Sequence, residues 1–456
     1  MSNIINKSDN AISVQQILDD NSLSIFQFRV IILGFLVVFY DGYAAAVMGF
    51  IGSSLAESLH ITASELNPAM VASLIGLAIG SFSAGPIADK FGRKMILIFA
   101  VAVFGLFSIL TSMMNSVAGI SFMRLIVGIG LGAAMPISIT LVSEYSPQRL
   151  RSLLVAIMFC GFTAGSAGVG FIASALMPIY GWQGALSAGG WVALITLIIL
   201  WVLLPESSKY LAEKNKNPEK IRAYLSKIGN IPSNITHFIG EKSAVAATSQ
   251  KVAPTKQSSI SKLFYQDMRI GTVMLWVIFF MTMGYIAIFT NWLPMMFETL
   301  GYERKDAATL AALFQVGGTI GALIIGAIMD RSNPYKVLSA VLLGGTIFTA
   351  AVAFYSGSYA WLVGGIMLIG FTISGGMVGF NALAATFYPT VARATGVSWA
   401  LGVGRFGSIS GSLLGGYLLG QQLGFGSIMS VLIVPTSITT ILIFYMGVRY
   451  YKGKNK

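Results

Sequence analysis

Twelve apolar runs, each long enough to cross a lipid bilayer, leave this chain of 456 residues little choice of fold. They cover residues 28–54, 66–88, 93–113, 117–142, 151–178, 184–204, 267–297, 307–329, 336–356, 360–386, 395–420 and 427–448. A helical span needs about 20 apolar residues. Inside a bilayer every backbone N–H and C=O must be satisfied by the chain itself, so these runs are read as helices. Composition agrees: 10% of residues are charged, against about 25% in soluble domains. The 51 glycines suit close approach between membrane helices. The expected fold class is an all-α membrane protein.

Charge then sets the orientation. With the N-terminus inside, the inner loops hold Lys90, Arg93, Lys94, Arg149, Arg151, Arg331, Lys336 and Arg393, and the tail adds Arg449, Lys452, Lys454 and Lys456. The outer loops hold Arg304 and Lys305 beside Glu303 and Asp306. This is a positive-inside pattern, with both termini expected in the cytoplasm. The net charge of +12 is spread over short loops, not gathered in a patch, which argues against nucleic acid. The single cysteine, Cys160, excludes an internal disulfide, and no metal cluster or cofactor motif is evident. The first residues lack the basic-then-apolar order of a signal peptide.

The one long polar stretch divides the spans six and six. The expected organisation is a cytoplasmic segment 1–27, a six-helix bundle 28–204, a central loop 205–266 read as a solvated linker with an amphipathic helix near Pro218-EKIRAYLSKI, a second bundle 267–448, and a tail 449–456. An internal echo supports two related halves. Gly85-PIADKFGRK follows the second span and Gly326-AIMDRSNPYK the eighth; Glu144-YSPQRLR follows the fourth and Tyr388-PTVARATG the tenth. Repeated halves build alternating-access carriers with a site near the midplane.

Three charges stand deep in the apolar runs. Asp41 interrupts Val30-IILGFLVVFYDGYAAAVMGF. A carboxylate at that depth costs at least about 2.5 kcal/mol on insertion scales, and such groups face a bundle interior and mark proton or substrate paths; a buried structural pair is the plain alternative. At 1.5 Å per residue, Asp41 lies about 20 Å from the inner end of its span, Arg124 about 10 Å below the outer end of the fourth, and Arg405 about 16 Å into the eleventh. The two histidines, His60 and His237, fall in loops, which leaves a carboxylate as the proton carrier.

These features resemble the major facilitator superfamily over essentially the whole chain. Gly85-PIADKFGRK is similar to that superfamily's loop between its second and third helices, Arg124-LIVGIGLGAAMP to its fourth-helix motif, and Pro205-ESSKYL to the end of the sixth helix in sugar and organic-acid carriers. The resemblance implies a twelve-helix fold in two six-helix halves, tight turning at Gly85 and Gly92, and a gating role for Asp89, Arg93, Glu144 and Arg149, with Asp330, Arg331 and Arg393 in the second half. The fifth helix, Gly161-FTAGSAGVG, lacks the antiporter proline. Asp41-GYAAA, Asn291-WLP and Gly402-VGRFGSISG resemble the aromatic acid:proton symporters of bacteria. That family usually has a second Asp three residues after the first. Here the position is Ala44, so either Asp41 works alone or a second carboxylate has been removed.

The resemblance implies symport of protons with a small aromatic carboxylate, no enzymatic activity, no cofactor, and a monomer in the lipid bilayer. In related sugar carriers a first-helix Asp and a fourth-helix Arg form the coupling pair, so Asp41 is expected to pair with Arg124. A static buried salt bridge is the plainer reading of that pair. Arg405 offers a planar fork for the substrate's carboxylate; a structural counter-ion is the alternative. Tyr43, Phe162, Trp276, Tyr285 and Phe406 are candidate cavity walls, with Gln315 and Asn381 as hydrogen-bond donors to a ring hydroxyl. Two other functions stay open: a carrier of non-aromatic organic or sugar acids, and a membrane sensor.

Overall fold

A computed structural model describes residues 11–62, 64–214, 217–232, 235, 237–239, 264, 268–355, 357–388 and 390–450. Among the described residues the chain forms fifteen α-helices, in order α1 (Val14–Asp20), α2 (Ile25–Leu59), α3 (Asn67–Phe91), α4 (Arg93–Ser112), α5 (Val117–Glu144), α6 (Arg151–Leu203), α7 (Ser208–Glu213), α8 (Pro218–Leu225), α9 (Met268–Glu298), α10 (Arg304–Arg331), α11 (Pro334–Phe354), α12 (Tyr359–Ile369), α13 (Gly375–Phe387), α14 (Thr390–Gly420) and α15 (Phe425–Tyr450). A π-helical turn, Gly370–Ser374, joins α12 to α13 into one crossing.

The helix boundaries have local causes. The first crossing starts at a capping box, where Gln27 N–H donates to the Ser24 hydroxyl at 3.3 Å and Ser24 N–H donates to Gln27 Oε1 at 2.9 Å. It ends at His60, whose left-handed φ of 55° closes the last turn. Helix α6 crosses twice, because Gly181 (φ 65°, ψ −169°) breaks it three residues after Pro178. Counting α6 twice and α12–α13 once gives twelve crossings among the described residues.

The two halves pack by the same device. In the first, α3 and α5 approach so closely that a Cβ on Gly128 would strike the Ser73 carbonyl; in the second, a Cβ on Gly321 would strike that of Phe371. These are the second and fourth crossings of each half, so the sequence echo has a packing counterpart.

The solvated-linker expectation needs correction. The described part of the central segment is built against the first half: α8 buries Ile221 and Leu225, and His237–Ile239 (β2) pairs in parallel with Ala11–Ser13 (β1), while residues 240–263 of the expected linker lie outside the described residues. Val14, Ile17 and Leu18 of α1 join the same apolar core as Leu211 and Phe238. The expected amphipathic helix is α8.

Candidate functional site

Asp41 sits in the middle of α2 and is 1% exposed. Its neighbour Gly42 lets α2 press on the Phe162 carbonyl of α6, and Ser166 Oγ donates to Gly42 O at 3.0 Å. The cation whose charge acts on Asp41 is Arg405 of α14, in the other half. Asp41 Oδ1 has no hydrogen-bond partner.

Arg124, on α5, is also 1% exposed. Its Nη2 donates to the Ala44 carbonyl at 2.8 Å and to Ser73 Oγ at 3.2 Å, while Nε and Nη1 are buried without partners. The expected direct Asp41–Arg124 contact is therefore corrected. Among the described residues the guanidinium rests on residue 44, three positions past Asp41 and almost a full helical turn away. Depth arithmetic matched the heights of the two groups and said nothing of which way each side chain turns.

The predicted cavity walls separate into several groups. The Tyr43 hydroxyl donates to Ala185 O at 2.5 Å, which locks it inside the first half. Tyr285 is buried, stacked on Phe289 at 4.6 Å, with its hydroxyl 2.9 Å from that of Thr349. Trp276 stacks on Trp399 at 5.7 Å. Phe162 packs half-buried in the core of the first half. Gln315 Nε2 donates to Thr290 Oγ1 at 3.3 Å, and Asn381 Nδ2 donates to Met377 O on its own helix. Phe406 is 67% exposed, and one residue beyond Arg405 its side chain is turned about 100° around the helix from that of Arg405. The Asn291-WLP motif braces α9 against the helix carrying Arg405: Asn291 Nδ2 donates to Ser412 Oγ at 3.1 Å and Trp292 Nε1 to Ser412 O at 2.8 Å.

Two terminal regions flank this middle. At the end away from the basic loops the halves meet. A Cβ on Gly49 would collide with the Thr290 carbonyl, Ser53 Oγ donates to Glu298 Oε1 at 2.6 Å, Arg304 pairs with Glu57, and Ser64 Oγ donates to Gly416 O at 3.3 Å.

At the basic end, Gly92 takes φ 100° between α3 and α4, the tight turn expected of it. A Cβ there would collide with the Glu206 carboxylate, which accepts from Arg93 N at 2.8 Å and Lys94 N at 3.1 Å and so caps α4. Arg93 is buried, 3.5 Å from Glu144. Arg149 Nη2 donates to Asn21 O at 3.2 Å. Gln15 Oε1 accepts from both Arg151 and Lys209. The side chains of Asp89, Asp330 and Arg393, and Gly85, lie outside the described set, and Arg331 is exposed. Glu206 and Gln15 were absent from the predicted set; the Pro205-ESSKYL resemblance was the available signal for the first.

Twelve crossings among the described residues, in two matched halves, with a buried carboxylate deep in one and a half-buried guanidinium deep in the other, define a polytopic carrier-type membrane protein. The chain belongs to the Major Facilitator Superfamily, whose model matches residues 31–358 and 275–456. It is 39% identical to the 4-hydroxybenzoate transporter PcaK of Pseudomonas putida over 97% of each chain. It is also 39% identical to the gallate transporter of Pseudomonas putida over 96% of each, and 30% identical to the benzoate transport protein of Acinetobacter baylyi over 96% of this chain and 93% of that one. The fold is similar to the xylose transporter XylE from E. coli in a partially occluded inward-open form, with TM-score 0.68 and 17% identity, covering 95% of this chain and 100% of that one.

Proposed function

We propose that this chain imports a small aromatic carboxylate, of hydroxybenzoate or benzoate type, together with protons by alternating access. On this reading the protein spans a bacterial cytoplasmic membrane with its basic end and both termini inside, and it works as a monomer. The observation that carries this reading is a buried carboxylate, Asp41 on α2, and a half-buried guanidinium, Arg405 on α14, set deep in the spans of opposite halves. A guanidinium takes a carboxylate in a planar fork. In the empty carrier Arg405 serves Asp41. When the substrate's carboxylate takes Arg405, Asp41 is left charged in a dry site without its counter-charge, and it takes up a proton. Substrate and proton then enter the site together because they share one cation. The bound pair cancels the attraction between Asp41 and Arg405, and the halves rock around the loaded site. Aromatic-acid relatives covering nearly the whole chain support the substrate class.

The test is uptake of radiolabelled 4-hydroxybenzoate and benzoate into proteoliposomes, with and without an inward proton gradient. Accumulation above the external concentration with the gradient, and equilibration without it, is the expected result. Failure of aromatic carboxylates to bind or move under either condition removes the assignment, and non-aromatic acids become the next candidates.

A further inference from the structure

We infer that this carrier prefers an aromatic substrate with two carboxylates, one held by Arg405 and the other by Arg124. The inference rests on the reading of Arg405 as the substrate's anchor and of Asp41 as the proton carrier.

Charge in the middle of the membrane carries the argument. The charged residues deep in the spans are Asp41, Arg124 and Arg405, two cations and one carboxylate. With the transported proton on Asp41, both guanidiniums lack a counter-charge. A benzoate-type monoanion cancels one of them. A benzene dicarboxylate cancels both, and only then is the loaded site neutral when it is sealed from water. A lone ion in a dry interior is strongly disfavoured.

Arg124 is built to receive such a group. It is 1% exposed and hydrogen-bonded through a single nitrogen, to two neutral oxygens. Its Nε and Nη1 are buried with no acceptor. The nearest backbone acceptor belongs to residue 44, where the resemblance leads one to expect an aspartate and this chain has alanine. An aspartate there would answer Arg124 from within the protein and leave the site matched to a monoanion. Alanine passes that task to the ligand.

Geometry adds a second reason. Arg124 stands on α5 in the first half and Arg405 on α14 in the second. Asp41 on α2 and Arg405 on α14 are opposite charges placed in the two halves, and in the empty carrier their attraction links the halves. Protonation removes it. A dicarboxylate reaching from Arg405 to Arg124 restores a charge link between the halves, whereas a monocarboxylate does not.

The experiment compares terephthalate with 4-hydroxybenzoate in proteoliposomes holding the full chain or its Ala44→Asp variant. Labelled uptake is measured under an inward proton gradient, and the thermal shift each acid gives the detergent-purified unaltered protein is read alongside. The expected result is at least tenfold more efficient uptake of terephthalate by the unaltered chain, with the larger rise in melting temperature, and reversal of the preference in Ala44→Asp. Preference for 4-hydroxybenzoate in the unaltered chain, in uptake or in thermal shift, overturns the inference and leaves the proposed function standing. An unchanged ratio in Ala44→Asp overturns it as well. If neither acid is bound or moved by either chain, the proposed function falls too. The thermal shift needs no variant, so poor folding of Ala44→Asp does not rescue the idea.

Discussion

Arg124 and Arg405 are the same residue at similar depth in opposite halves, and their surroundings differ in the feature that matters for transport. Arg405 has a carboxylate, Asp41, within its field, and it lies half-buried on a helix braced by Asn291 and Trp292. Arg124 is sealed, held by a backbone carbonyl and a serine hydroxyl, with two nitrogens idle. A cation that shares its carboxylate with an incoming anion is suited to coupling. A cation with no carboxylate at all is suited to selecting what comes in. Equal depth in the sequence therefore conceals unequal surroundings, and on the proposed reading the difference in role traces to one side chain, at position 44.

The sharpest way to break this comparison is Arg405→Ala. On the coupling reading it removes the substrate's charge-assisted anchor and the counter-charge of Asp41 together. Such a hydrogen bond contributes about 1.5–3 kcal/mol, so uptake efficiency falls on the order of 100-fold. Uptake near the unaltered rate in Arg405→Ala proteoliposomes would mean that the second-half arginine only balances charge.

Asp41→Asn cuts the comparison from the other side. The amide keeps the shape of the carboxylic acid and cannot exchange a proton. Counterflow between equal pools of acid is expected to persist, while accumulation driven by a proton gradient drops from about tenfold to none, taking a gradient of one pH unit as one decade. Gradient-driven accumulation by Asp41→Asn would place the coupling proton elsewhere.

The sequence made much of this legible, and the limits have physical causes. Spans were visible because a bilayer demands long apolar runs, and Asp41, Arg124 and Arg405 stood out because a charge in such a run is costly. The turn at Gly92 was readable because few other residues take its φ of 100°. Pairing was not readable. Rise per residue fixes height, but the direction a side chain faces depends on how helices rotate against each other, and so Arg124 was matched to Asp41 instead of residue 44. Phe406 meets the same limit, since one residue beyond Arg405 its side chain turns about 100° away around the helix. Glu206 and Gln15 each join segments far apart in sequence, such as Lys209 with α1; the Pro205-ESSKYL motif marks the first of them, and no local pattern marks Gln15. The β1–β2 ribbon is three residues long on each side, too short to leave a periodic signal.

The smallest effect is expected at Ser73, and it bears on the Arg124 side alone. Ser73→Ala deletes one of the two bonds to a buried guanidinium whose other nitrogens already lack acceptors. Bonds to charged groups contribute about 1.5 kcal/mol at the low end. The empty protein should therefore lose about that much stability, read as a lower thermal midpoint in detergent. The informative quantity is the coupling with position 44. If Ala44→Asp supplies Arg124 with a carboxylate, the serine bond becomes one of several, and Ser73→Ala should cost less in that background, by about 0.5 kcal/mol or more for groups that share a partner. Equal costs in the two backgrounds would show that residue 44 and Arg124 do not interact through the side chain. The contrast between a coupling arginine and a selecting one would then need another origin than the alanine.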